Sequence, residues 1–329
     1  MNKKRAAFGG VAVLCAGAAL LSLCLGAVPL SPRELWLALI SGPQDTAGYI
    51  FWYARFPRTC ACLLAGCALS VSGCILQNVL GNRLASPNII GVNAGAGLAV
   101  TLCCALGALS GWAVSLSAFA GALAAALLIM ALARKTGSSK ATVLLAGVAM
   151  NSLLGALRDS VTTLIPEAAM LSGEFRVGGF SSVTAARLLP AGFLIAAALL
   201  VCFLMCNELD VLSLGEETAR SLGLRVQPVR MLFLLLAALL AGSAVSFAGL
   251  LGFVGLLVPH FARRLAGSES KRLLPFAALS GAGFVTLCDL LARVLFAPHE
   301  FYVGILMSLI GGPFFLALLL RGREGHRHA

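Results

Sequence analysis

Residues 59–80 read TCACLLAGCALSVSGCILQNVL. The run holds no charged residue, and about 20 apolar residues suffice for a helix to cross a bilayer core. Its apolar positions do not alternate with polar ones, so it does not read as a strand. Gly, Ala and Ser recur through it, as they do where membrane helices pack closely. The central stretch, LLAGCALSVSG at 63–73, returns as LLAGSAVSFAG at 239–249. Leu63, Leu64, Ala65, Gly66, Ala68, Ser70 and Gly73 match Leu239, Leu240, Ala241, Gly242, Ala244, Ser246 and Gly249.

The rest of the chain has the same character. Of 329 residues, 60% are hydrophobic and 11% charged, with a mean hydropathy of +0.97. Soluble domains carry about 25% charged residues, so this composition excludes a soluble enzyme, a nucleic-acid-binding domain and a disordered chain. Absence of strand alternation excludes an outer-membrane barrel. Further apolar runs at 6–28, 89–109, 111–133, 142–165, 187–206, 228–249, 252–266, 273–297 and 304–321 bring the expected number of helices to about ten. The run at 6–28 is too long for the apolar core of a secretion signal and no A-x-A site follows it, so it is expected to be a retained first helix. A tight turn near Ser110 and Gly111 must join the third and fourth runs. The expected fold is all-α, a single polytopic transmembrane domain over 1–329.

Charge sets the topology. With the N-terminus inside and ten crossings, the inner segments hold 17 of the 24 Lys and Arg residues. The outer or intramembrane remainder is Arg33, Arg55, Arg58, Arg158, Arg176, Arg187 and Arg293. That split obeys the positive-inside rule, and an odd number of helices would put the basic tail outside. In this frame the two copies of the repeat run in opposite directions, an inverted repeat of the kind on which many transporters are built. Residues 29–58 form an outer segment. Residues 207–227, NELDVLSLGEETARSLGLRVQ, form an inner one, broken into short helical pieces by Gly215 and Gly223.

Several chemistries lack their motifs. There is no phosphate loop, no H-E-x-x-H and no G-x-S-x-G. The glycines of 91–97 follow no strand and are no dinucleotide fingerprint. The 11 cysteines form no C-x-x-C pair and mostly lie in apolar runs, where they read as packing residues. No metal or cofactor is expected. An ion-coupled carrier, the alternative reading, needs a carboxylate inside a span. Asp159 and Asp289 are the candidates, and Arg158 and Arg293 stand next to them in sequence or one helical turn away. An adjacent cation holds a carboxylate ionised, so the driving energy is expected to come from a partner engaging the inner polar segment.

Ordered motifs from about residue 50 onward resemble the permease subunits of FecCD-type ATP-binding-cassette (ABC) importers, which take up iron–siderophores, haem or vitamin B12. R-x-P-R and L-x-G-x-x-L-x-x-S-G lie at 55–73, with Gln77 beyond them. N-x-L-A-x-P-x-x-x-G-x-x-x-G-A is at 82–96, L-L-A-G-V-A at 144–149, and L-S-L-G-E-E-x-A-x-S-L-G at 212–223. G-F-V-G-L-L-V-P-H-x-x-R at 252–263, D-x-x-A-R at 289–293 and V-G-I-x-x-x-x-I-G-x-P-x-F at 303–315 complete the set.

The resemblance implies a pore of two permease subunits, identical or not, in the cytoplasmic membrane with both chain ends cytoplasmic. It implies two ATPase subunits below, an extracytoplasmic substrate-binding protein above, and no enzymatic chemistry in this chain. By the same resemblance Leu214, Gly215, Glu216, Glu217, Ala219, Arg220, Leu222 and Gly223 form the ATPase-coupling segment. Arg55, Arg58 and Arg293 dock the binding protein, and Asn82, Leu84 and Ser139 form the cytoplasmic gate. Two departures stand out. The family's N-P-L-A has Arg83 after Asn82, and its E-x-P-V-G reads Glu300-Phe301-Tyr302-Val303-Gly304.

Overall fold

The computed structural model describes residues 2–26, 28–135, 140–295, 299 and 301–324, with side chains placed over 5–317 of these. The helices are α1 Asn2–Cys24, α2 Pro32–Ser41, α3 Thr46–Tyr49, α4 Phe56–Leu80, α5 Val92–Ala105, α6 Gly111–Lys135, α7 Lys140–Leu164 and α8 Pro166–Leu171. They continue with α9 Gly173–Val177, α10 Ala185–Leu204, α11 Cys206–Ser213, α12 Glu216–Ser221, α13 Val226–Ala248, α14 Val254–Ala266, α15 Ser270–Val294 and α16 Val303–Glu324. No strand occurs among the described residues.

Each of the ten expected runs is a helix: α1, α4, α5, α6, α7, α10, α13, α14, α15 and α16. Among the described residues seven helical stretches are long and apolar enough to cross a membrane. Two of the others, α5 and α14, have 14 and 13 residues. At 1.5 Å per residue each spans about 20 Å, short of a ~30 Å core. The reason is where they start. After α4 the chain turns back through 81–91, and Asn151, well inside α7, donates to the Asn88 carbonyl at 2.7 Å. After α13 the chain turns back through 249–253, and Gly255 lies against Leu69, halfway along α4, and against Pro87. Both short helices therefore begin at mid-depth, each just after one copy of the repeat.

Helix α4 is the hub, largely buried against α13, α14 and α15. Arg58 pairs with Asp289, Gly66 abuts Gly281, the Ser70 hydroxyl donates to the Ala277 carbonyl at 2.8 Å, and Asn78 donates to Ser270 at 3.4 Å. The sequence numbers fall on one helix as they rise on the other, so α4 and α15 are antiparallel. A Cβ on Gly66 would run into the Gly281 carbonyl, and one on Gly281 into that of Gly66. Such backbone approach is what glycine permits in membrane helix packing. The second copy of the repeat, in α13, packs on α4 as well, and the Ser72 hydroxyl donates to the Ala237 carbonyl at 2.8 Å.

Helix α1 lies parallel to α15: Phe8 meets Phe276, Gly283 faces Cys15, and Ser22 meets Arg293. Helix α16 leaves the end of the bundle where Gly304 binds the Gly178 carbonyl and runs past Phe253 toward His260 and the basic end of α14. The first helix therefore begins at the end of the bundle toward which the last one runs, as an even number of passages requires. Ser110 caps α6 through Ala113 N–H at 3.2 Å, where the tight turn was expected. The outer segment is more ordered than a loop. From Thr46 the chain is helical through a π turn, Ile50–Arg55, directly into α4. Phe51, 1% exposed, anchors this entry against Leu30 and Ala38.

Replacing Gly66 or Gly281 with Leu should lower the thermal midpoint of the detergent-solubilised protein sharply, because overpacking a tight contact costs about 1–3 kcal/mol or more. Gly9→Leu, at a position with open space around it, should leave the midpoint almost unchanged in the same measurement.

Candidate functional site

At the end of the bundle where α1 begins, the inner segment folds as two short helices, α11 and α12, linked by Gly215 at φ 108° and followed by Gly223 at φ 83°. Ala219 is fully buried and pins α12 to the bundle, while Glu217 is exposed. Leu214 and Leu222 are 62% and 61% exposed although large and apolar. The segment is held by two ties. Asp210 caps α15, accepting from the Ser270 amide at 2.9 Å and its hydroxyl at 2.6 Å. Glu216 accepts from Arg220 at 2.6 Å and from the almost fully buried Arg230 of α13 at 2.9 Å. The Arg230 bond, with help from Arg220 and Lys140, holds the Glu216 carboxyl below the usual carboxylate range. A push on α12 therefore reaches α13 and α15, both of which pack on α4.

Beside this segment Asn82 closes an Asx turn, its Oδ1 accepting from Leu84 N–H at 2.9 Å, and Leu84 is 38% exposed. Ser139 lies outside the described residues. Lys140, the first residue of α7, sits next to Gly81, so the start of α7 and the 81–84 turn share this end of the bundle. Arg83 is exposed there, and Arg263 donates to Asn78 at 2.9 Å.

At the opposite end Arg55, Arg58 and Arg293 converge. Asp289, with no exposed surface, pairs with Arg58 at 3.0 Å and with Arg293 at 3.0 Å. Arg293 also donates to the Ser22 hydroxyl at 2.8 Å, and Arg55 donates to the Leu23 and Val28 carbonyls. All three guanidiniums are largely buried, yet they line one notch of about 320 Å³ together with Gly26, Tyr53 and Ser181. The i, i+4 pairing of Asp289 with Arg293 is the one anticipated from spacing. Its cross-link to Arg58, 231 positions away, joins α15 to α4.

Helix α7 is long enough to cross a membrane, but most of it is unburied. Leu145, Ala149, Ser152, Ala156, Asp159 and Thr163 form an exposed stripe. Arg158 holds Asp159 at 2.8 Å, and the Ser160 and Thr163 hydroxyls return to backbone carbonyls of their own helix. A charged and hydroxylated stripe facing hydrocarbon is costly, and such residues face a bundle interior or a water-filled path.

Four residues that tie these clusters into the bundle, Arg230, Asp210, Ser270 and Ser22, were not visible beforehand. Arg230 counts as an ordinary inner positive in the sequence, whereas it is 1% exposed and anchors Glu216. Its place inside the first turns of an apolar helix was the available signal. The tie from Asp210 to Ser270 spans 60 positions and Ser22 enters the outer cluster across 271, beyond any local pattern. Among the described residues no group of three or more His, Cys, Asp or Glu is placed to hold a metal ion.

An all-helical bundle with re-entrant breaks beside each repeat copy, an unpartnered polar stripe on a membrane-length helix and an apolar-tipped polar knob at one end has the construction of a transport permease. The FecCD transport family model matches residues 14–321, and the chain belongs to that family. It is 37% identical over 326 residues to the hemin transport permease HmuU of Yersinia pestis, covering 97% of each chain. It is 36% identical to the Fe(3+) dicitrate permease FecD of Escherichia coli, covering 95% of this chain and 98% of that one. It is 33% identical to the vitamin B12 import permease BtuC of Yersinia enterocolitica, covering 95% and 92%. A metal-chelate type ABC transporter solved in an inward-facing conformation superposes with a TM-score of 0.85 at 27% identity, covering 95% of this chain and 98% of that one.

Two outcomes are expected from these charges. Asp289→Asn strands two buried guanidiniums and should cost about 3–5 kcal/mol of stability, whereas Asp159→Asn, at an exposed pair, should cost under about 1 kcal/mol; chemical denaturation in detergent compares them. The Glu216 contribution is present above the ordinary carboxyl value and is lost as pH falls through the lowered folded one. The gap in thermal midpoint between wild type and Glu216→Gln should therefore hold from pH 7 down to about 4.5 and close below it.

Proposed function

We propose that the chain is one permease half of an ABC importer that moves a metal chelate, haem or corrinoid inward across the cytoplasmic membrane. The observation that carries the reading is the 206–222 knob. It presents Leu214, Leu222 and Glu217 outward and is tied by Asp210 and Glu216 to α15 and α13. In this reading residues 214–223 seat in an ATPase subunit, and nucleotide-driven closure is transmitted as a rigid-body push. Both chain ends are cytoplasmic, in agreement with the 17-to-7 distribution of positives. The α7 stripe faces the same stripe, or its counterpart, on a second permease subunit, so that the path forms between two chains. Asn82, Leu84 and Ser139 stand at its cytoplasmic mouth.

The outer notch receives carboxylates of a substrate-binding protein, with Arg58 the most accessible of its three guanidiniums. Arg offers the bidentate geometry that carboxylates match. The cargo class follows from the hemin, ferric dicitrate and B12 permeases to which the chain is similar. An ion-coupled carrier is the weaker reading, since both carboxylates inside the spans are already clamped, Asp289 by two arginines and Asp159 by one.

In sealed proteoliposomes the purified chain alone should move no labelled ferric chelate, haem or cobalamin. Adding the cognate ATPase, binding protein and ATP should start uptake of one of them, and uptake by the chain alone under an ion gradient would overturn the reading. Leu214→Asp with Leu222→Asp, both at exposed positions, should leave the thermal midpoint intact and reduce ATPase co-purification at least about tenfold, the scale of a lost interface anchor. Arg58→Gln should weaken capture of the binding protein, measured by surface plasmon resonance at moderate salt.

A further inference from the structure

We propose that the groove between α6 and α13 is a binding site for an anionic phospholipid of the cytoplasmic leaflet. The groove holds about 700 Å³, within the 300–1,000 Å³ usual for ligand sites. Its floor is apolar, built by Met130, Met231, Leu232 and Leu235, and its rim carries Arg134 and Lys135. Among the described residues no acidic side chain lines it. Both cations stand in the last turn of α6 and are exposed. The floor lies one to two turns deeper along both helices. Charge at the membrane surface above grease in the core is the order of groups along a phospholipid, and basic pockets between helices on the cytoplasmic side suit anionic headgroups.

Other occupants fit less well. A second protein helix laid in the groove would bury two cations with no counter-charge, which is strongly unfavourable. A free phosphate would satisfy the rim and leave the floor bare. The α7 stripe lies on a different helix, so lipid and partner subunit do not compete for one surface. Met231 follows Arg230, the anchor of Glu216, so the bound lipid supports α13 directly behind the coupling segment. The cytoplasmic placement of this end rests on the topology proposed above, whereas the headgroup selectivity tested below does not depend on it.

Native mass spectrometry of the purified chain, loaded with equal amounts of phosphatidylglycerol and phosphatidylcholine of identical tails, tests the site. The anionic lipid should be retained about thirtyfold over the zwitterionic one, the scale of two headgroup-facing cations. Arg134→Gln with Lys135→Gln should abolish the preference, and Leu235→Trp, which fills the floor while keeping both cations, should lower retention of both lipids. Glycerol phosphate, a headgroup without tails, should not compete. Equal retention of the two lipids by the wild type, a preference that survives loss of both cations, or retention unchanged by Leu235→Trp overturns the proposal. Should the double variant fail to fold, the wild-type ratio and the Leu235→Trp result decide it.

Discussion

The backbone contact of α4 with α15 at Gly66 and Gly281 governs the rest of the molecule. In a bilayer, lipid tails are as apolar as leucine, so helices gain little from mere greasiness and must gain from close fit. The two glycines let the carbonyls of each helix press on the other. Ser70, one turn further along α4, uses that proximity to reach the Ala277 carbonyl. At the outer end the same register brings Arg58 to Asp289, and at the inner end Asn78 to Ser270. One antiparallel pair thereby fixes an ion cluster on one face and a helix cap on the other.

Burial of charge follows from that register. Asp289 is fully enclosed, a position tolerated only because two guanidiniums meet it and Ser22 takes a further Arg293 donor. The inner face uses the same device on a smaller scale, with buried Arg230 neutralised by half-exposed Glu216. Each cluster joins helices that lie far apart in sequence. The 206–222 knob and the hub are thus tied into one body, while α7 packs on it through Gly147 and Asn151 and leaves its other face unpartnered.

Much of this was legible in the chain. The ten apolar runs became ten helices because long uncharged segments have no other way to satisfy their backbone in lipid. The repeat flagged α4 and α13, and it did so through Gly and Ser, the residues that make their packing possible. The glycine breaks at 215 and 223 and the Asp289–Arg293 spacing were local patterns and appear as read. The half-depth starts of α5 and α14 were not legible, because apolar content does not reveal where a chain turns back. The helical course of 46–58 was hidden by its turn-forming neighbours and settled by Phe51 finding a pocket. The internal partners of Arg55, Arg58 and Arg293 were hidden too, since a sequence shows an arginine near an interface and not what it already holds.

Held by Asp210 and Glu216, the 206–222 knob should move as one body with α13 and α15. Pulsed electron paramagnetic resonance on the assembled transporter tests it, with spin-labelled non-cysteine residues at the exposed positions Leu222 and Leu295 at opposite ends of one chain. The distance within the chain should be unchanged between nucleotide-free and ATP-bound states, while the distance between Leu222 and its counterpart on the second permease subunit shifts. A within-chain distance that changes as much as the one between subunits would contradict it.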